Sequence, residues 1–161
     1  MIWRILKTLA FTIVIPGTVG LYLPQALKNS ATKVPPAFEW IGVALFVCGA
    51  AIYFWCAWDF VSKGLGTPAP IDAPRVLVVK GLYRFTRNPM YVGVFSAIQG
   101  QALYYASAHV AVYGLVMLTM AYLFVVFYEE PTLRRLFGAQ YEEYCREVPR
   151  WILPLPRSVA K

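Results

Sequence analysis

FEWIGVALFVCGAAIYFWCAWDFV, residues 38–61, decides the fold class. Of its 24 positions only Glu39 and Asp59 are charged, and both stand near the ends. At about 1.5 Å per residue, a helix of this length crosses the roughly 30 Å hydrocarbon core of a bilayer. Trp40, Trp55 and Trp58 lie toward its ends, where amphipathic rings anchor at the membrane–water boundary. Gly42, Gly49, Ala50 and Ala51 are small enough to let a second helix approach closely.

Outward from this segment the same composition repeats. Apolar runs at about 5–23, 90–106 and 110–128 add three further candidate spans. The run at 90–106 is short, reaching only about 25 Å as a helix. Pro16 and Gly17 predict a bend in the first span, where the backbone must be satisfied locally. Over all 161 residues, 59% are hydrophobic and 14% are charged. Soluble domains hold about 45–50% apolar and 25% charged residues, so an ordinary soluble domain is excluded. The fold class expected is an all-α membrane protein, one domain over residues 1–161, with about four transmembrane helices and a C-terminal amphipathic helix.

Charge sets the expected orientation. Thirteen of the 15 lysines and arginines fall on the amino end, the second loop and the tail, against Lys28 and Lys33 across the membrane. The positive-inside bias then places both termini and the second loop in the cytoplasm. Arg4 and Lys7 precede an apolar run without a small-residue cleavage site, so the first span reads as retained. The net charge of +7 is accounted for on this inner face and calls for no nucleic acid. Cys48, Cys56 and Cys145 show no metal-ligand spacing, and no metal is expected. His109, the only histidine, is placed in the outer loop, which excludes it as a base on the cytoplasmic side.

The second loop ends in VVKGLYRFTRNPMYVG, residues 78–93, basic and aromatic where the chain is otherwise apolar. Asn88 reads as an N-cap and Pro89 as the first helical residue. Such a helix start, with Arg87 beside it, binds carboxylate or phosphate; a plain juxtamembrane basic segment on anionic head groups reads equally well. Upstream, Gly64 and Gly66 permit close backbone approach, although an ordinary flexible turn explains them alone. Residues 76–79 read as a short strand or a buried extended segment. The last span closes in Tyr128-Glu129-Glu130-Pro131. Paired carboxylates at a membrane boundary are costly unless paired or hydrated, which marks a site for a cationic ligand or a partner for Arg87. Pro131 is expected to kink or interrupt the helix. After it, Leu133, Leu136, Phe137, Tyr141, Tyr144 and Val148 recur near helical spacing, predicting one amphipathic helix on the membrane surface or capping the bundle.

Together, Gly64-Leu-Gly-Thr-Pro-Ala-Pro, the segment Leu77 to Gly93, and Glu129-Glu-Pro with Phe137-Gly, Tyr141, Tyr144 and Val148-Pro resemble one family. It is the integral-membrane methyltransferases that include isoprenylcysteine carboxyl methyltransferases and phospholipid N-methyltransferases. The resemblance covers residues 60–155, taken as the catalytic part, and leaves the first span generic. It implies S-adenosylmethionine as donor, S-adenosylhomocysteine as product, a cofactor pocket at the cytoplasmic ends of the last helices, and a lipid or lipidated acceptor arriving laterally from the bilayer. Gly64 and Gly66 match glycines near the cofactor. Val78, Gly81 and Tyr83 match the segment whose backbone embraces the adenosine. Arg87, Asn88, Pro89 and Tyr91 match an Arg-His-Pro-x-Tyr pattern, with Asn88 in place of histidine as in phospholipid N-methyltransferases. Glu129 and Glu130 match the glutamates that contact the donor.

Charge chemistry agrees with that donor. Glu129 and Glu130 suit its cationic groups; Asn88, Arg87 and the helix start suit its carboxylate. The residues expected in catalysis are Arg87 or Arg134, positioning the acceptor, and Glu130 or a tyrosine, assisting deprotonation of an amine. A carboxylate or thiolate acceptor needs no base. The leading expectation is an isoprenylcysteine carboxyl methyltransferase-like activity, with phospholipid-amine or small-thiol methylation as the alternative. A non-enzymatic scaffold or transporter subunit is the remaining class. Against it, the polar cluster sits at one interface, whereas transporters keep their sites at the midplane.

Overall fold

The computed structural model describes residues 2–29, 35–62 and 76–151, and among these every regular element is helical. Helix α1 (Ile2–Gly17) passes through a π turn (Thr18–Tyr22) into α2 (Leu23–Leu27). Helix α3 (Pro36–Ser62) follows. A 3₁₀ turn (Gly81–Arg84) leads into α4 (Pro89–Tyr104), and α5 (Ala108–Phe124) passes through a second π turn (Val125–Glu129) into α6 (Glu130–Phe137); α7 (Ala139–Glu147) ends the described helices. Three of these runs, Leu9–Leu27, Pro36–Phe60 and Ala108–Phe137, are long and apolar enough to cross a membrane. Helix α4, with 16 residues, is shorter than that.

The α3–α4 pair is the centre of the fold. Gly42 and Gly49 of α3 face Gly100 and Gly93 of α4, in antiparallel register and seven residues apart on each helix. A Cβ at any of the four would come within 2.5–2.8 Å of backbone atoms on the opposite helix. Backbones packed this closely gain dispersion contacts where no hydrophobic effect operates between helices. The tight turn after α4 runs through Ala106 at φ +49°, and Ser107 caps α5 by accepting from Val110 N–H at 3.4 Å. His109 therefore lies in the exposed first turn of α5, not in a loop.

Both π turns end two residues before a proline, and the cause is the same. Pro24 has no N–H to give the Gly20 carbonyl, and the Leu23 N–H reaches back five residues to Thr18. That leaves the Val19 and Gly20 carbonyls without helical donors in an apolar setting. Tyr113 Oη donates to Val19 O at 2.9 Å and Gln101 Nε2 to Gly20 O at 2.5 Å. Gln101 of α4 and Tyr113 of α5 thus serve the backbone of the first helical run. Before Pro131 the Glu130 N–H likewise reaches Val125 O. The expected interruption is absorbed, and the helical run continues to Phe137.

The amphipathic segment is two helices, not one. Gly138, at φ +52° and ψ −125°, separates α6 from α7. Tyr141, Tyr144 and Val148 bury against Leu77, so this segment caps the bundle. Residues 76–79 form no strand. Leu77 and Val78 are both buried and feed different clusters, Leu77 that of α7 and Val78 that of Cys56 and Tyr83.

Candidate active site

Three pieces of chain meet where α4 begins: the turn before it, the α5–α6 junction, and the segment after α7. Backbone contacts stitch the first to the third. Arg87 N–H donates to Pro149 O at 3.0 Å, Thr86 Oγ1 to Arg150 O at 2.9 Å, and Tyr144 Oη to Tyr83 O at 2.7 Å. Burial pushes the Tyr83 and Tyr144 phenols upward, so both remain protonated at neutral pH and Tyr144 stays a donor.

At the junction Glu130 is only 2% exposed, yet its charge is met. Arg150 grips it with both arms, Nε to Oε1 at 2.6 Å and Nη2 to Oε2 at 2.9 Å. Arg87 Nη1 stands 3.1 Å from Oε1 and Arg134 Nη1 3.8 Å from Oε2. The expected partnership of Arg87 with this glutamate pair is thus realised in Glu130. Arg87 Nη1 also donates to Cys145 Sγ at 2.6 Å, and Arg134 Nε pairs with Glu142 at 2.7 Å. Glu129, on the π turn, faces elsewhere: Tyr91 Oη donates to its Oε2 at 3.1 Å, and among the described residues it meets no cationic side chain.

Asn88 stands at the N-cap position but makes no capping hydrogen bond. It is buried, and its Nδ2 donates to Arg150 O at 3.1 Å, because a buried amide takes the nearest acceptor. Pro89 opens α4 as expected. Val78 and the Tyr83 ring pack in an apolar cluster with Cys56. Gly81 has φ +65°, and a Cβ there would strike the Asp59 carboxylate, so only glycine fits. Gly64 and Gly66 lie outside the described residues.

Arg150 and Trp151 were not among the residues expected here. Trp151 stacks on Tyr122 at 6.3 Å and meets the Tyr91 ring edge-on at 6.2 Å. The available signal was Val148-Pro149-Arg150-Trp151, an arginine and an indole directly after a helix-ending proline.

Beside this cluster an apolar cavity of about 400 Å³ opens between α1, α4 and α5. Phe11 and Ile15 line it from α1, Val94 and Ile98 from α4, and Met117 from α5; Tyr91 stands at its polar end.

A helical membrane chain with paired glutamates facing a helix start narrows the family, and the comparison decides it: phospholipid methyltransferase matches residues 38–140. The chain belongs to the phospholipid methyltransferase family. It is accordingly an S-adenosylmethionine-dependent membrane methyltransferase acting on lipid. No curated protein matches the sequence. The match to the phospholipid methyltransferases takes in Arg87, Asn88, Tyr91, Glu129, Glu130 and Arg134. Arg150, Trp151 and all of α1 lie beyond it.

The residues present fit the phospholipid methyltransferases' donor. Glu129, without a cationic partner among the described residues, suits a sulfonium or ammonium. Arg87 Nε and Trp151 Nε1 are buried donors with no acceptor among the described residues, and they suit a carboxylate.

Proposed function

We propose that the chain methylates the amine head of a membrane phospholipid, with the donor held at the junction of α4, the second π turn and the segment after α7. One observation carries this reading. Of two adjacent glutamates, the buried Glu130 is saturated by guanidinium groups, while the half-buried Glu129 is held, among the described residues, only by Tyr91. Glu130 then serves as the pier that fixes Arg87, Arg134 and Arg150, while Glu129 is the carboxylate available to a cation. Bound here, the donor supplies an electrophilic methyl group on a positive sulfonium. Glu129, aimed by Tyr91, takes the proton that an ammonium must lose before its nitrogen becomes nucleophilic. Arg87 and Arg134 hold the anionic end of a ligand, and Val78, Gly81, Tyr83, Asn88 and Pro89, with Gly64 and Gly66, shape the donor's enclosure. Holding both reactants in register supplies much of the rate.

This reading takes α4 as a fourth span, antiparallel to α3, in a single domain of residues 1–161 with both termini cytoplasmic. Maleimide labelling of Asn29→Cys and Ser62→Cys in sealed vesicles checks the orientation. Labelling of both from one side contradicts it.

The second reading, a carboxylate acceptor such as a prenylated cysteine, draws on the surplus of three arginines around Glu130 and on the half-exposed Arg134. Purified protein with radiolabelled donor separates the two. In phosphatidylethanolamine vesicles the lipid should take up label, and Glu129→Gln should lower that by tenfold or more, on the order of a lost general base. Label only in a farnesylcysteine analogue, unaffected by Glu129→Gln, would overturn the amine reading.

A further inference from the structure

The cavity beside the site is walled on one side by a helix that the family match does not include. Residues 38–140 supply the α4 and α5 walls, while Phe11, Ile15, Pro16 and Val19 come from α1 and the π turn that follows it. Polar ties bracket that wall. Thr12 Oγ1 lies 2.9 Å from Tyr53 Oη on α3, and beyond Pro16 the Val19 and Gly20 carbonyls are held by Tyr113 and Gln101. Among the described residues no hydrogen bond draws α1 onto α4 between these ties, and the cavity opens there, with Tyr53 itself in the lining. Its position against the bundle is thus set from both sides.

The dimensions and chemistry fit one kind of occupant. On α5 the lining runs from Gly114 to Phe124. Ten residues of helix rise about 15 Å, about half the hydrocarbon thickness of a bilayer. The volume of about 400 Å³ is within the range of specific ligand pockets, and the lining is almost wholly apolar. Met90, Met117 and Met120 contribute flexible side chains that adapt to a moving chain. Two tyrosines bring hydroxyls to the lining: Tyr53, whose hydroxyl is paired with Thr12, and Tyr91, which donates to Glu129 and marks the end nearest the glutamates. A hydrocarbon chain spanning one leaflet, with a cationic head at the Glu129 end, satisfies each of these features.

We infer that α1 is the acyl-chain selector of this enzyme: Phe11 and Ile15 set the length and bulk of the one lipid chain that lies in the α1–α4–α5 groove while its head is methylated. The inference rests on the reading of Glu129 as the head-group site, but places specificity in a helix outside the matched region. Ile15 is about half exposed, so a larger side chain there projects into the groove without rebuilding a core. Phe11→Ala widens the same wall.

The test uses the full chain in vesicles, with two readouts. In the first, phosphatidylethanolamine bearing a diazirine on one acyl chain is photo-crosslinked and the adducts are mapped by mass spectrometry. Adducts should fall on groove residues of α1, α4 and α5, and Ile15→Trp should reduce them roughly tenfold, the scale on which a hydrophobic pocket discriminates. Binding of S-adenosylhomocysteine should stay within about twofold, because among the described residues the hydrogen bonds and ion pairs of Glu129 and Glu130 involve none from α1. In the second, transfer to dilauroyl and distearoyl phosphatidylethanolamine is compared. Ile15→Trp should shift preference toward the shorter chain and Phe11→Ala toward the longer, each by roughly tenfold. Unchanged adducts and an unchanged chain preference in both variants overturn the inference. Adducts confined to lipid-facing positions such as Phe127 and Trp55 do the same. If no lipid is methylated but the groove adducts appear and respond to Ile15→Trp, the groove assignment stands and the amine reading is what fails.

Discussion

Arg150 offers the sharpest test of how the site is held together. Arg150→Ala removes two short hydrogen bonds to Glu130, at 2.6 and 2.9 Å. It leaves intact the Arg150 carbonyl that receives Asn88 and Thr86, since that is backbone. Hydrogen bonds to charged groups contribute about 1.5–3 kcal/mol each. Two effects reduce the sum. The Arg150 side chain is 30% exposed and so partly screened, and Glu130 keeps Arg87 at 3.1 Å. A net loss of about 2 kcal/mol is expected. For a chain of this length each kcal/mol shifts Tm by about 2–4 °C, giving a drop of about 4–8 °C by tryptophan fluorescence in detergent. Arg150→Lys keeps the charge but not the planar fork, and should recover less than half of the loss. The decisive measurement is a double-mutant cycle with Glu130→Gln. If the clamp is real, the two substitutions couple by about 1–2 kcal/mol, well above the roughly 0.3–0.5 kcal/mol seen for independent sites. Additive effects would show that Arg150 does not hold Glu130, leaving that role to Arg87 and Arg134.

Gly49→Ala places a Cβ 2.5 Å from Gly93 O and should cost about 1–3 kcal/mol as overpacking, whereas Ala51→Leu, on the exposed face of α3, should leave Tm unchanged. Gln101→Leu strips the donor from Gly20 O and should cost about 1 kcal/mol; in a Pro24→Ala background, where the helix regains its own N–H, the cost should fall toward zero, and an equal cost in both backgrounds would refute the pairing. Tyr144→Phe loses the bond to Tyr83 O, about 1 kcal/mol. Because burial raises the Tyr144 phenol, its contribution to Tm should be constant below about pH 10, the ordinary tyrosine value, and be lost above it as the unfolded chain ionises; Tyr144→Phe should make the alkaline fall less steep.

Much of this protein follows from local chemistry, and that part was legible in the chain. Residues 38–61 announce a membrane helix because twenty-odd apolar residues have no other low-energy setting in one piece. Gly42 and Gly49 mark close packing because nothing else lets two backbones approach so nearly. Glu129 and Glu130 mark the candidate site because carboxylates at a membrane boundary need partners, and the Arg87 end of the basic stretch supplies one to Glu130. What one strand of sequence cannot display is which distant group answers a local need. Asn88 looks like a cap because Pro89 follows it, but its amide goes to a carbonyl 62 residues away, since burial makes that acceptor the available one. Gln101 and Tyr113 stand as polar side chains in apolar helices, and only the fold shows that they serve the Gly20 and Val19 carbonyls of the first helical run. Arg150 sits beyond the last described helix, and only the folding of that segment back over the start of α4 brings its guanidinium to Glu130. The difference between the two glutamates, one clamped by arginines and one held by a tyrosine, is likewise tertiary. Adjacent residues on a helix point about 100° apart, so each meets a different neighbour, and the neighbours come from different parts of the chain.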